Sequence, residues 1–456
     1  MVNHRDQPAS RATAMRWSIL LLLTMMVCLG HFNRVSISVA GNERFIENGR
    51  IDRESMGQIY TVFLLVYTAC MLPAGWFIDR VGPATALTWM ALGLGLCVIM
   101  TGVVGWQSES AGGLWLSLMI VRGVAGAASS PLHPAAARSV SLWFPAGTRI
   151  RANGFVTAGA LVGIAVTYPV FGWLMDRFDW PWAFVICGSA TMAFAVVWRC
   201  VATDGANDHR WTSVAQRAPV PRSDEPAQSQ PKSPSRSVAR DLLGLLRHRG
   251  LVLLSISYAA VGYFQYLFFY WIENYFSDTL HLPVEESRRA SSAVMIAMAA
   301  GMACGGWAAD SICRRWGQRY GRRAMAFGGM TLSALFALLG VATNEPDQVV
   351  AWFSLALASL GACEGVFWTT VTDMGGRGGG LAAAVLNTLG NAGGALAPWL
   401  TAVLIDRFDW HIAIGVACAI CGLGATLWFG FDPTMPIEPN VPHADNAADR
   451  GETTAR

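Results

Sequence analysis

Lysine is almost missing from this chain. Lys232 is the single one among 456 residues, and every other cationic chain is an arginine or histidine, a compositional bias. Charge as a whole is scarce: 14% of residues carry it, against about a quarter in ordinary soluble domains. With 53% of the residues hydrophobic, a water-soluble fold would have to expose much of its apolar sequence. The ten cysteines lie singly inside apolar runs, which argues against a secreted disulfide framework. The one CxxC, Cys418 to Cys421, sits in a hydrophobic stretch and reads as packing. No HExxH, nucleotide fingerprint or catalytic triad is present, so no enzyme activity, cofactor, metal or nucleic-acid partner is expected. The glycine-rich "GGRGGG" (375–380) has neither the GK[ST] ending of a phosphate loop nor a flanking strand, and reads as a flexible connection.

What is present is a series of apolar runs. Crossing a hydrocarbon core of roughly 30 Å takes about 20 helical residues, and twelve stretches qualify: 17–40, 55–78, 84–105, 113–137, 153–175, 181–201, 250–276, 290–309, 324–343, 349–372, 381–405 and 411–431. Each must satisfy its backbone hydrogen bonds internally, and none alternates like a strand, so the expected fold is all-α and integral to the membrane. The first run, "WSILLLLTMMVCLG", continues through "HFNRVSISVA" and is not a cleaved signal peptide. Residues 202–248, with "RAPVPRSDEPAQSQPKSPSRS", cannot bury a core and are expected to be a loose linker. The expected organisation is a tail (1–16), six spans (17–201), the linker (202–248), six more spans (249–431) and a second tail (432–456).

The two sets of six are related. The word DRFDW occurs at Asp176–Trp180 and again at Asp406–Trp410, an offset of 230 residues. "GWFIDRVG" puts Asp79 four residues after Gly75, and "GWAADSIC" puts Asp310 four after Gly306, an offset of 231. Arginine placement gives an orientation: with both chain ends inside, 24 of the 33 Lys and Arg fall on the cytoplasmic side and 7 outside, with Arg34 and Arg122 left within spans.

The residues now resemble a known family. Gly75-Trp-Phe-Ile-Asp79-Arg80-Val-Gly82, in the loop after span 2, resembles the loop signature of the major facilitator superfamily. "YTACMLPAGWFIDRVG" (67–82), "RGVAGAASSPLHPAAARSVSLWFP" (122–145) and "RANGFVTAGALVG" (151–163) are similar to its anion:cation symporter branch, with its bacterial galactonate and hexuronate transporters and sialin-type carriers. The resemblance implies twelve helices in two six-helix bundles, alternating access around a central site, and a small organic anion as substrate, often carried with protons. It also implies a multi-pass protein of the bacterial inner membrane, with lipid as its surroundings and a monomer as its unit.

Ionisable groups inside spans need a reason, because a charge there costs about 2.5–3.5 kcal/mol even on the lenient insertion scale. Arg34 in span 1 could snorkel to headgroups, and Arg122 in span 4 could pair with helix-end carbonyls. The alternative is an anion site, for which a planar, permanently charged guanidinium is suited. The resemblance favours the anion site, since arginines at both positions are functional in the relatives. It also exposes departures: Asn33 stands where the family usually has Asp, Ser129 where it often has Glu, and Ala160 where sugar-acid carriers have Gln. Asn and Ser cannot exchange a proton in the physiological range, so Glu364, His133 and Glu273 become the candidates for proton coupling.

Tyr67, Tyr270, Gln265, Trp368 and Asn387 are candidate substrate ligands, with Tyr263 and Tyr266 nearby. Aromatic faces stack on sugar C–H surfaces, and phenols and amides read hydroxyls. Aromatic residues at span ends also serve as interfacial anchors. Gly75, Asp79, Arg80, Gly82 and Asp310, with Arg314, Arg315, Arg319, Arg322 and Arg323, are expected to form gating loops that latch the two bundles in the outward-facing state. "GNAGGALAP" (390–398) puts small residues on a helix, which permits close packing or sliding. The expected function is secondary active transport of a small organic anion, a sugar acid such as a hexonate or hexuronate, by alternating access with proton coupling; the alternatives are an uncoupled facilitator, suggested by Asn33 and Ser129, and a membrane sensor that has kept the carrier fold.

Overall fold

The computed structural model describes residues 7–107, 111–144, 146–204, 244–375 and 379–437. Most of the expected linker (205–243) and tail (438–456), and 376–378 of the glycine-rich connection, lie outside the described residues. Residues 244–247, at the end of the expected linker, are helical.

Every apolar run becomes helix. Span 1 is Gln7–Ala40, continued by Gly41–Ile46, a wider coil in which Glu47 N–H reaches back to the Asn42 carbonyl. Span 2 is Arg53–Val81, begun by Asp52, whose side chain accepts from Ser55 N. Span 3 is Pro83–Gln107, span 4 is Ala111–Ser129 with Leu132–Trp143 following a turn, span 5 is Ala146–Phe178 and span 6 is Trp180–Val201. Span 7 is Arg249–Asp278, span 10 is Pro346–Gly375, span 11 comprises Gly379–Ala395 and Ala397–Arg407, and span 12 is Trp410–Thr426.

Spans 8 and 9 share the helical run Val284–Val341, 58 residues long. Left straight, it would measure about 87 Å, nearly three times a hydrocarbon core of about 30 Å. It turns back at Gly317, where φ is 78° and ψ is 161°. A Cβ added at Gly321 would stand 2.6 Å from the Cys313 Cα, which no straight helix permits for residues two turns apart. Among the described residues, eleven long apolar helices therefore supply twelve membrane-length segments. Gly82, in the equivalent loop of the first half, also has a positive φ of 85°. Asp204 crowds the space where its Cβ would be, so glycine is required twice over.

Packing repeats as well. Span 1 lies against span 5, span 2 against span 4 and span 3 against span 6; in the second half span 7 lies against span 11, and the paired spans 8 and 9 against spans 10 and 12. The halves meet where span 2 packs on span 11, span 5 on the 8–9 pair, and span 1 on span 7. The DRFDW words are matching corners. Asp179 accepts from Trp180 N at 2.7 Å, Asp409 accepts from Ile412 N at 2.8 Å, and each begins the next helix. Trp180 stands edge-on to Phe45 at 4.8 Å, and Trp410 edge-on to Tyr275 at 5.2 Å. Phe45 and Tyr275 are themselves 230 residues apart. The face bearing these corners is called the corner face below; the opposite one, where span 6 ends and span 7 begins, is the linker face.

Candidate functional site

Two arginines stand near the middle of the bundle. Arg34 precedes the end of its helix at Ile46 by about 18 Å of helical rise, and Arg122 follows the start of span 4 by about 17 Å. Arg34 Nε donates to the Tyr270 hydroxyl at 3.2 Å, across the boundary between the halves. Its guanidinium carbon lies 4.8 Å from the Tyr266 ring, 5.6 Å from Phe63 and 5.7 Å from Tyr67. Arg34 Nη2 is buried without a hydrogen-bond partner. Arg122 is 2% exposed; its Nη2 donates to the Arg34 carbonyl at 3.0 Å and its Nη1 to the Asn33 carbonyl at 3.5 Å. Its Nε is buried and unpartnered, and Phe63 lies 4.5 Å from its guanidinium carbon. Among the described ion pairs, neither arginine has a carboxylate. Cation–π contact returns about 0.5–2 kcal/mol, less than the roughly 2.5–3.5 kcal/mol that a charge costs at this depth.

Tyr67 and Tyr270 are buried with this pair, Tyr67 stacked on Phe63 and Tyr270 on Tyr60. Tyr266 donates to Asn391 Oδ1 at 2.8 Å, and Asn391 Nδ2 donates to both the carbonyl and Oδ1 of Asn387 at 2.9 Å. Asn387 thus joins the cluster through a residue that sequence reading overlooked, one helical turn further along span 11. Trp368 belongs to a second group: the Tyr258 ring is 5.9 Å away, and the Tyr258 hydroxyl donates to Glu364 Oε1 at 3.2 Å. Glu364 Oε2 is buried and unpartnered. Gln265 is apart from both groups, with its amide 3.9 Å from Met298 Sδ on span 8.

Two of the positions that depart from the family pattern form hydrogen bonds within the first bundle, although Asn33 Oδ1 is buried without a partner. Asn33 Nδ2 donates to Thr191 Oγ1 on span 6 at 2.8 Å, and Ser129 donates to the Ala125 carbonyl at 2.7 Å. His133 meets His31 edge-on at 5.1 Å, a neighbour that the sequence reading did not single out.

Glu273 lies in a different place, at the corner face, where the halves are clamped together. Arg288 of span 8 donates from Nε to Glu43 Oε1 at 2.7 Å and from Nη2 to Glu43 Oε2 at 2.6 Å, and it also grips Asp176. Arg44 reaches the same Asp176 at 2.9 Å. Across the interface, Arg53 of span 2 binds Asp406 at 2.9 Å and Asp278 at 3.0 Å. Asn42 connects to Asn274 and Ser277, and Trp399 to Glu54 and Thr61. Spans 2 and 11 come so close that a Cβ at Gly57 would be 2.9 Å from the Pro398 carbonyl.

At the linker face the described bonds run within one bundle. Asp79 pairs with Arg138, Arg322 with Asp373, and Asp204 accepts from Ala84 N at 2.8 Å. Arg80 covers the Trp76 ring at 5.1 Å, Gly75 has open space beside it, and Asp310 is exposed. The structure is therefore closed at the corner face.

A family model described as Major Facilitator Superfamily matches residues 12–317 and 311–453. A D-galactonate transporter of Escherichia coli O6:H1 is 25% identical over 415 residues, covering 89% of this chain and 93% of the relative. A probable galactarate/D-glucarate transporter of Bacillus subtilis is 25% identical over 406 residues, covering 88% of each chain. A probable sulfoacetate transporter of Cupriavidus necator is 23% identical over 426 residues, covering 93% of this chain and 95% of its own. Among solved structures, a bacterial homolog to the human lysosomal transporter Spinster, inward-facing and occupied, aligns with a TM-score of 0.67 at 14% identity, over 91% of this chain and 96% of that one.

Proposed function

We propose that this chain, which belongs to the major facilitator superfamily, moves a small organic anion of the sugar-acid type, a hexonate or hexuronate, across the bacterial inner membrane by alternating access. Its membership makes it a multi-pass membrane transporter and not an enzyme. The observation that carries the finer reading is the pair of uncompensated guanidinium groups at mid-depth, Arg34 and Arg122. In this reading Arg34 is the principal ligand, since its Nη2 is free and its ring contacts leave a deficit that a carboxylate would fill. Arg122 holds the span 1 backbone with two donors and adds positive field. Tyr67, Tyr266 and Tyr270 supply faces and hydroxyls, and Asn387 with Asn391 reads sugar hydroxyls from the second half. The names of the relatives support an oxyanion: each is called a carrier of a carboxylate or a sulfonate.

The remainder of the reading follows from arginine placement and the closed corner. The linker face is cytoplasmic, bundles 17–201 and 249–431 are the moving halves, and the loops at Asp79, Arg80, Gly82 and Asp310 close when the corner face opens. For proton coupling, Glu364, His133 and Glu273 are the candidates. An uncoupled facilitator is the second reading, favoured by Asn33 and Ser129 being neutral and engaged in their own bonds.

Uptake into proteoliposomes of a labelled panel (D-galactonate, D-glucarate, sulfoacetate, D-galactose), with and without an inward proton gradient, tests this. Acids enter, the neutral sugar does not, and Arg34→Gln abolishes entry. Accumulation that follows the gradient supports coupling; equal rates with and without it support the facilitator. Uptake of the neutral sugar alone overturns the anion reading.

A further inference from the structure

The corner-face clamp contains a feature that its gripping role does not explain. Glu43 and Glu273 are 230 residues apart and thus occupy equivalent places in the two halves, on spans 1 and 7. Both are buried, at 2% and 3% exposure, and the residues beside them, Asn274 and Asn42, are hydrogen-bonded across the interface at 2.6 Å, which brings the two carboxyl groups into one region of the clamp. Both oxygens of Glu43 are occupied by Arg288, while neither oxygen of Glu273 has a donor. A buried carboxylate with no donor, in a region whose one buried guanidinium already serves another carboxylate, is costly to keep charged.

Charge counting gives the same answer. The groups facing the pair are Arg44 and Glu47 from the end of span 1, Tyr60 from span 2, Tyr168 and Asp176 from span 5, Tyr270 on span 7 itself and Arg288 from span 8. No histidine is among them. The side chains of Arg44 and Asp176 reach solvent, at 29% and 48% exposure, so the buried set is Arg288 with Glu43 and Glu273: one positive charge against two carboxylates, which a single proton makes neutral. Glu47, exposed at the rim, adds only negative charge. The site is also built for its contents. A Cβ at Gly172 would lie 2.2 Å from Arg288 Nε, so glycine clears the room for the guanidinium. Glu43 sits on the wide-coiled end of span 1, a rare geometry that is often found at functional positions.

We infer that Glu43 and Glu273 form a proton-binding site of the corner-face gate, in which one proton is required for closure. The proton enters from water when the gate opens and the carboxyls hydrate; it stays on the carboxyl pair while Arg288 holds Glu43 and Asp176. Losing it leaves a net negative charge in a dry cluster and favours the open corner. The inference rests on the alternating-access part of the proposed function and is independent of what the cargo is.

Hydrogen exchange read by mass spectrometry, on the full chain in lipid nanodiscs without substrate, tests it. Exchange at residues 41–60 and 268–292 is followed from pH 5.5 to 8 and corrected for the intrinsic pH dependence. One proton linked to closure predicts that the opening constant rises by up to about tenfold per pH unit. Glu273→Gln should remain protected across the range with no such slope. A wild-type slope of zero, or a Glu273→Gln slope equal to wild type, overturns the inference. Exchange within span 3 reports folding; should Glu273→Gln fail to fold, Glu43→Gln carries the same test, because it also removes the pair. A slope that survives in Glu43→Gln then overturns the inference and points to the His31–His133 contact. Sugar-acid uptake is measured separately, so a lost gate proton and a wrong cargo give different results.

Discussion

Arg53 and Arg288 hold comparable places, each near the start of the second span of its half and each gripping the Asp of a DRFDW corner in the other half. Their surroundings differ. Arg53 is 18% exposed and its partners Asp278 and Asp406 are 46% and 37% exposed. The Arg288 side chain is 5% exposed, and the side chain of its additional partner Glu43 only 1%. The corner aspartates are alike in exposure, Asp176 standing at 48%, so what sets the second clamp apart is the buried guanidinium and the buried Glu43 that it holds. One clamp works mainly as alignment; the other carries a charge set that only balances with a proton. Duplication supplied the geometry, and burial gave the copies different physics.

The difference can be broken most strongly at Arg288. Arg288→Met leaves Glu43 buried without its cation, a loss of about 3–5 kcal/mol in such cases, and should lower the thermal midpoint and raise corner-face exchange. Adding Glu43→Gln should recover a large part of that loss, since the stranded charge goes with it; two additive losses would show the contact to be unimportant. Gly172→Ala comes next. The new methyl would meet Arg288 Nε, Cζ and Cδ at 2.2–2.7 Å, and overpacking of this kind costs about 1–3 kcal/mol. The smallest effect belongs to Arg53→Gln, at roughly 0.2–1 kcal/mol per exposed pair and weaker still in salt. A loss at Arg53 equal to that at Arg288, read by the same melting curves, would erase the distinction.

Much of this architecture was legible in the chain. Apolar runs of sufficient length could only be helices, and the spacing of the DRFDW words already said that corners repeat. The boundary between spans 8 and 9 was less visible, because helix continues through Arg314–Arg323 and only the backbone at Gly317 reverses the direction. Arg34 and Arg122 stood out because charge is rare in such sequence, but the bond from Arg122 to span 1 carbonyls depends on packing between distant segments. Gln265 carried a polar signal without joining the cluster. The Glu43 site was hidden for another reason. Glu43 lies beside Arg44 near a span end, where charges are ordinary, and its partners come from spans 5, 7 and 8. Its offset of 230 from Glu273 was the one signal in the sequence that could have revealed it.

The claim that a negatively charged cargo meets Arg34 is tested most directly by ligand-induced thermal stabilisation of the purified protein. D-galactonate should raise the midpoint in a concentration-dependent way while D-galactose does not, and Arg34→Gln should remove the response. Equal shifts for acid and neutral sugar, or a full response retained in Arg34→Gln, would contradict it.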